Sequence, residues 1–489
     1  MAEIAAPLRD GSMLERRFRF AEHGTTLARD TMAGVTTFIV MSYIIFLNPQ
    51  ILSFTGVPGL EGKGLPFDGV LTATCVVAAV MTILMGLYTN RAYALAPGLG
   101  LNAVVAFQLV ANEGLSFPSA MGLILLEGAV VTVLVLTGVR EQIMRAIPLE
   151  LKKAIAIGIG LFIAFIGLYN SGIIVKGVAT PVELGHLTTW PIFVAFFGIV
   201  VTIALRARGF RGDLLVGIVL TTVVATIINS LDDHSAGFAA GTATWPNDLT
   251  TSGNWSLFGN FDFHAFSKLG VVSALVWVFA LFLSDFFDTM GTLVGVGKPA
   301  GYLTKEGELP EIRKPLLVDS LAAMAGGASS TSSATTYIES GAGVGAGGRT
   351  GWVAVVCGVL FLPFLFLAPI IGMVPPQATA AALIIVGYLM VSALTEGEDE
   401  AEPERSSGLR FAGIDFHSLE IGLPAVLVIM FMPFSYSITN GIGFGFIAYT
   451  IIMAAKGKAK DVHPLMWLIS AAFLLYFLVP LLQDHLSWI

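Results

Sequence analysis

Apolar runs of about twenty residues, separated by short polar loops, recur along this chain. That is the length an α-helix needs to cross a hydrocarbon core of roughly 30 Å. Inside lipid the backbone N–H and C=O groups must find partners within the protein, which leaves helices or closed barrels. Continuous runs of this length select helices. Composition agrees: 55% of the 489 residues are hydrophobic and 12% are charged, against roughly 25% charged in soluble domains. The runs fall at 31–53, 70–90, 93–112, 118–139, 150–169, 189–206 and 212–230. After a polar stretch at 231–266 they resume at 268–297, 315–328, 330–347, 350–373, 377–394, 418–433 and 438–455. A final run, 464–483, either spans the membrane or lies against the bundle.

Loop charges test this map. If the runs alternate in direction, 23 of the 26 Lys and Arg residues fall on one side and only Lys63, Lys176 and Lys268 on the other. Basic residues concentrate in cytoplasmic loops, so the N-terminus and the Lys456–Lys460 cluster are expected in the cytoplasm and the chain in the cell membrane. Residues 1–30 are polar and basic, without the apolar core of a secretory signal. Seven runs, a linker and seven more put the second half in the opposite orientation to the first. This 7+7 inverted repeat is a common secondary-transporter architecture. The expected fold class is therefore an all-α polytopic membrane protein with fourteen spans.

Two of the runs are interrupted. The third contains Ala96-Pro97-Gly98-Leu99-Gly100-Leu101-Asn102, and the tenth a polar stretch from Ala328 to Gly341 that includes Thr336, Tyr337 and Glu339. Small and polar residues make poor lipid-facing helix. Broken backbone at membrane depth is tolerated where protein or a water-filled cavity covers it. One such stretch reads equally well as a seam of close helix packing. Two at corresponding positions of two repeats point to a binding site.

Ionisable side chains at mid-depth are expensive and usually functional. Asp285 and Asp288 lie three residues apart on the eighth run, near one helix face. Asp285, Glu339 and Asn102 fall close to the midpoints of their runs, so three polar side chains from three spans share one depth. Glu127 is midway along the fourth run, as a proton site or a hydrogen-bonding acid. Asp319 and Glu420 lie near run ends and read as interfacial or structural. All seven histidines fall outside span centres, which argues against a histidine proton relay.

Several function classes are disfavoured. The two cysteines, Cys75 and Cys357, sit in apolar runs and suggest neither disulfide nor metal cluster. There is no phosphate-binding GxxxxGK[ST] loop and no nucleophile–base or metal constellation, which argues against an ATP motor in this chain and makes an enzyme the least favoured class. The glycine-rich stretch 341–348 leads from a span into Arg349 and does not follow a soluble strand. The acidic stretch 396–404 reads as a solvated loop. Nothing suggests a nucleic-acid partner, and no cofactor beyond protons as coupling ion is expected.

The stretches AEHGTT (21–26), TTFIVMSYIIFLNPQIL (36–52), ALAPGLGLNA (94–103), LFIAFIGLYNSGIIV (161–175), DFFDTMGTLVGVGKPAG (285–301) and TTYIESGAGVGAGGRTG (335–351) together resemble the nucleobase–cation symporter-2 family, in particular its azaguanine-type purine permeases. The resemblance runs in order along nearly the whole chain. It implies a core domain built from residues 31–139 and 267–374 and a gate domain built from 140–230 and 375–460. The N-terminus (1–30), an extracellular linker (231–266) and a C-terminal hydrophobic segment (461–489) flank them. It also implies a short strand and half-helix in the third and tenth spans, a homodimer formed through the gates, and proton-coupled uptake of hypoxanthine, guanine or adenine by elevator-like movement. By motif, Asn102, Asp285 and Glu339 match the family's polar binding residues and Asp288 its second acid. Tyr337, Thr336 and Gly100 complete the expected substrate set. Asp285, Glu339, Asp288 and Glu127 form the candidate proton-coupling set. An ionised Glu339 would accept the ring N–H of a 6-oxopurine, whereas a protonated one would suit adenine. An anion carrier of the related sulfate-type fold would want a basic residue at mid-depth, where the sequence offers acids. A passive channel would not need titrating acids.

Overall fold

The structure, a computed structural model, describes residues 12–57, 59–138, 146–304, 309–392, 410–411 and 413–485. The acidic stretch 396–404 lies outside them. Eight helical segments among the described residues are long and apolar enough to cross a bilayer, and five shorter apolar helices accompany them.

The first run folds as α1 (Leu27–Met41) and α2 (Ile44–Leu52), with Ser42 and Tyr43 at the junction. Next come α3 (Phe67–Thr89), the strand β1 (Leu95–Pro97), the short α4 (Leu99–Ala103) running into a π-helix (Val104–Asn112), and α5 (Phe117–Thr137). They are followed by α6 (Leu149–Asn170), α7 (Trp190–Ala207) and α8 (Asp213–Leu231). After the linker the chain forms α9 (Val271–Gly297), α10 (Arg313–Ala328), β2 (Ala334–Thr336), α11 (Ser340–Gly345) and α12 (Trp352–Phe361). It ends with α13 (Pro376–Ser392), α14 (Leu419–Phe434), α15 (Ile438–Ala455) and α16 (Pro464–His485).

The helices pack in two groups. In one, α12 lies on α1 and α3, α10 on α3 and α5, and α9 on α5. In the other, α6 lies on α13 and α14, α7 on α8 and α13, and α14 on α15. Glycines set the closest approaches. A Cβ on Gly160 of α6 would sit 2.6 Å from the Gly387 carbonyl oxygen of α13, and one on Gly387 would sit 2.3 Å from that of Gly160. Backbones this near leave no room for a side chain, which is how small residues let membrane helices pack tightly. α16 lies on α15 and α9: Phe473 packs edge-on to Phe446, and Trp277 edge-on to Tyr476.

The two groups meet differently at their two ends. Away from the Lys456–Lys460 cluster they are bolted together. Gln108 of the π-helix donates from Nε2 to the Tyr436 carbonyl and accepts from the Ser437 hydroxyl. The Tyr436 ring packs edge-on to Phe107 and Phe162. On the same side the linker is pinned to helix ends. Asn254 bonds Thr72 and Asp68, and Asp262 accepts from Ser119 at 2.6 Å. The Ser119 hydroxyl, with His264 beside it, holds the Asp262 carboxyl below the usual carboxylate range. At the opposite end, between α7–α8 and α9–α11, the groups separate around an open cavity.

Candidate functional site

The two interruptions meet in the middle of the molecule. β1 and β2 pair antiparallel, with Leu95 opposite Thr336, Ala96 opposite Thr335 and Pro97 opposite Ala334. The ladder continues past the strands: Gly98 N–H donates to the Ser333 carbonyl at 2.8 Å and Tyr337 N–H to the Ala94 carbonyl at 2.9 Å. Non-helical backbone at this depth survives because its polar groups are paired inside protein. Each strand is braced by the helix before it. On α3, the Thr82 hydroxyl accepts from Leu95 N–H at 2.8 Å and donates to the Leu95 carbonyl at 2.9 Å. On α10, the fully buried Asp319 accepts from Thr336 N–H at 3.0 Å, the Thr336 hydroxyl at 2.9 Å and the Thr289 hydroxyl at 2.6 Å.

Gly100 stands three residues past Pro97, and Glu339 three past Thr336. Both line a small cavity of about 40 Å³ with Tyr43, Asp288, Thr336 and Tyr337. Ile163 of α6 and Val386 and Met390 of α13 close it from the other helix group. The Tyr43 hydroxyl donates to Glu339 Oε1 at 2.5 Å, a short charge-assisted bond when the carboxyl is ionised. Tyr337 donates its hydroxyl to the Pro97 carbonyl, and its ring lies 6.4 Å from that of Tyr43. Two aromatic rings, two acids and bare backbone thus surround one space.

Glu339 and Ile338 also line a second cavity, of about 550 Å³. Its walls come from both groups: Gly295, Val296 and Pro299 on one side, Arg206, Arg211, Asp213, Leu389 and Ser392 on the other. This volume is in the range of small-molecule sites, ~300–1,000 Å³. The small cavity alone is far below it.

The structure brings Glu339, Asp288, Tyr337, Thr336 and Gly100 to one place. Asp285, Asn102 and Glu127 are fully buried and line neither cavity. Asp285 lies 3.4 Å from the Ser333 hydroxyl, behind the strand pair. Asn102 is buried on α4 with neither side-chain polar atom bonded to protein.

Three features were not assigned from the sequence. Tyr43 lies within a quoted motif, but only the break between α1 and α2 reveals that its hydroxyl meets Glu339. Asp319 reads as interfacial or structural, and of the two it is structural: it is wholly buried and holds β2, a partner the sequence alone does not name. The ion pair of Arg206 with Asp213, at 2.7 Å, faces the larger cavity, although Arg206 reads as an ordinary loop charge.

A sequence profile described as the permease family matches residues 29–410. The guanine/hypoxanthine permease PbuG of Bacillus subtilis (strain 168) is 39% identical over 464 residues, covering 94% of this chain and 98% of that protein. The adenine permease AdeP of Escherichia coli (strain K12) is 38% identical over 463 residues, covering 95% of each. Among solved structures, the transmembrane domain of the cyanobacterial bicarbonate transporter BicA superposes with a TM-score of 0.57 at 16% identity, covering 86% of this chain and 97% of that one. The murine anion transporter Slc26a9 in its inward-facing state superposes with a TM-score of 0.54 at 13% identity, covering 88% and 68%. These two show a shared fold only. With a profile spanning most of its length and relatives aligned end to end, the chain belongs to the nucleobase–cation symporter-2 permeases and is a membrane transporter rather than an enzyme.

Proposed function

We propose that this protein carries purine nucleobases into the cell together with protons, with the substrate bound against Glu339. The observation that carries this reading is the position of Glu339. It lies at the junction of two cavities, held by Tyr43, on the broken segment that pairs with the other broken segment. The sequence relatives named above as guanine/hypoxanthine and adenine permeases support the substrate class.

The chemistry is specific. A 6-oxopurine presents a ring N–H beside a carbonyl. The ionised Glu339 carboxylate accepts that N–H, and the amino group of guanine as well. Tyr43 and Tyr337 offer ring faces to a planar base, and Gly100 leaves backbone open to its edge. Asp288 supplies a second acid in the same cavity. Asn102, with both polar atoms free of protein partners, and Asp285 behind the strands complete the polar set in this reading. Coupling arises when Glu339, with Asp288, Asp285 or Glu127, holds its proton differently in loaded and empty states.

In the same proposal, residues 31–139 and 267–374 form a mobile core and 140–230 and 375–460 a gate that dimerises. The fourteen spans repeat as seven and seven, inverted, with the N-terminus cytoplasmic. Supporting this are the two helix groups and the meeting of β1 with β2, each braced from the helix before it. With that orientation, the sealed rim at Tyr436 and the open cavity at Arg206 support an inward-facing state. Against an anion substrate, the small cavity around Glu339 is lined by acids and by no Lys or Arg among the described residues, while Arg206 of the larger cavity is ion-paired with Asp213.

The test is uptake of labelled hypoxanthine into cells lacking their own purine carriers, with guanine, adenine, xanthine and uracil as competitors. Competition by guanine but not adenine supports recognition by an ionised Glu339. Strong competition by adenine means a protonated acid at the site. Accumulation against a gradient separates a carrier from a channel, and loss of all purine-inhibitable uptake in a confirmed membrane protein overturns the reading.

A further inference from the structure

Two arginines, Arg206 and Arg211, line the larger cavity that Glu339 also lines. Arg206, near the end of α7, lines it together with Glu339. The Arg206 side chain is about one-third exposed, whereas its partner Asp213, at the start of α8, is almost wholly buried. Asp213 thus holds Arg206 by its ion pair, at 2.7 Å, while the guanidinium still reaches the cavity water. Arg211 lines the same cavity but is exposed on its loop, where water and salt screen it.

Of the other charged or titratable groups around Glu339, Asp288 is the like charge that a counter-charge must offset, and none of the rest supplies an anchored cation. Tyr43 donates to its carboxyl, and Tyr337 and Asp288 share the small cavity. Asp319 is occupied with β2. Arg349, beyond α11, donates its guanidinium to the Val344 and Gly348 carbonyls. Arg206 is therefore the anchored cation that lines the same cavity as Glu339. The two also stand on opposite helix groups: Arg206 is on α7, which packs with α8 and α13, whereas Glu339 lies between β2 and α11.

We infer that Arg206 is a stationary counter-charge that makes Glu339 release its proton to the inner side once the site has moved there. This rests on the proton-coupled reading above. A nearby positive charge favours the carboxylate over the carboxylic acid. Because the cation belongs to the group that stays still, its field acts on Glu339 only when the moving group brings the acid into the Arg206 cavity. Facing outward, Glu339 leaves that field and takes up a proton with the substrate. Asp213 is the positioning residue that keeps Arg206 pointed at the cavity.

The experiment uses the full-length protein in proteoliposomes, with labelled hypoxanthine and two assays. Net uptake driven by an acid exterior requires the proton to leave inside. Counterflow against unlabelled hypoxanthine at equal pH exchanges base for base without net proton release. With Arg206→Gln, net uptake falls roughly tenfold, the effect of about one unit of proton affinity, while counterflow stays within about twofold. Raising the internal pH restores net uptake, and Arg206→Lys behaves close to the parent. Two results overturn the inference: Arg206→Gln with parental net uptake at every internal pH, or equal loss of net uptake and counterflow, which makes the residue a structural anchor. If the parent itself shows no pH-driven accumulation, the proton-coupled reading fails first, and this inference falls with it.

Discussion

β1 is braced by a hydroxyl and β2 by a carboxylate. Thr82 gives and takes one hydrogen bond at Leu95, while Asp319 gathers three donors from Thr336 and Thr289. Beyond the strands the contrast repeats: the third residue past β1 is Gly100 and the third past β2 is Glu339, both facing the same cavity. The two segments share a plan, but charge is concentrated in the second. In the proposed reading the β1 side supplies shape, and the β2 side the proton site and the discriminating acceptor. Breaking each side separately tests that division.

The largest expected effect is at Glu339. Glu339→Gln keeps size and one acceptor but removes the charge, and it presents an amide N–H where the substrate N–H must bind. Losing one partner of a buried charged contact costs about 2–5 kcal/mol, which is roughly 30-fold or more in purine affinity. Uptake and direct binding both report it. Parental binding with unchanged proton dependence in this variant ends the assignment.

Next is Asp319→Asn, read as stability. The amide cannot accept from all the donors that now converge on the carboxylate, and its own N–H₂ points at them. Hydrogen bonds to a buried charged group contribute about 1.5–3 kcal/mol, so the thermal midpoint in detergent drops clearly. Thr82→Ala removes a neutral brace and is expected to cost about 1 kcal/mol. Equal losses at Thr82 and Asp319 would erase the contrast between the two braces.

How legible this was differs between the segments for a physical reason. Membrane spans are long, and their apolar content is continuous, so the helices could be placed from the sequence within a few residues. The interruptions at Ala96–Asn102 and Ala328–Gly341 were equally visible, because small and polar residues are out of place in lipid. Glu339 was legible as a lone acid at mid-depth. Tyr43 was not, because a tyrosine in an apolar run is unremarkable until the α1–α2 break aims its hydroxyl across 296 positions of sequence at Glu339. Asp319 was discounted because its depth was judged from the ends of its run. α10 buries those ends against α3 and α5. Depth arithmetic likewise ranked Asp285 above Asp288, yet Asp288 lines the cavity: a spacing of three fixes a shared helix face but not which acid opens to the site. Arg206 was hidden by being one of many loop cations, since no sequence pattern says which of them overhangs a cavity.

Tyr43→Phe tests the donor that the second segment borrows from the α1–α2 break. It removes the 2.5 Å bond to Glu339 and little volume. The expected effect is about 1.5–3 kcal/mol on the ionised carboxyl, seen as a rise of roughly tenfold or more in the KM for hypoxanthine. Thermal stability should stay close to the parent's, because the ring packing survives. A large drop in stability with unchanged KM would make Tyr43 a structural tie instead.

The smallest effect is expected at Gly100→Ala. A Cβ there would lie 2.9 Å from the Ile438 Cδ1 atom and 3.8 Å from Ile159 Cγ2. The first contact is with the far end of a flexible side chain, which moves at little cost, so overpacking here should stay below about 1 kcal/mol. What changes is the wall of the cavity: Gly100 lines the space of about 40 Å³ beside Glu339, and the added methyl group presses that wall against Ile438. Affinity for hypoxanthine should fall roughly two- to fivefold, within the effect of about one methylene, with proton dependence intact. That outcome assigns shape to the first segment. If Gly100→Ala instead abolishes binding as fully as Glu339→Gln, the backbone at Gly100 is itself an obligatory contact, and the two segments share recognition equally.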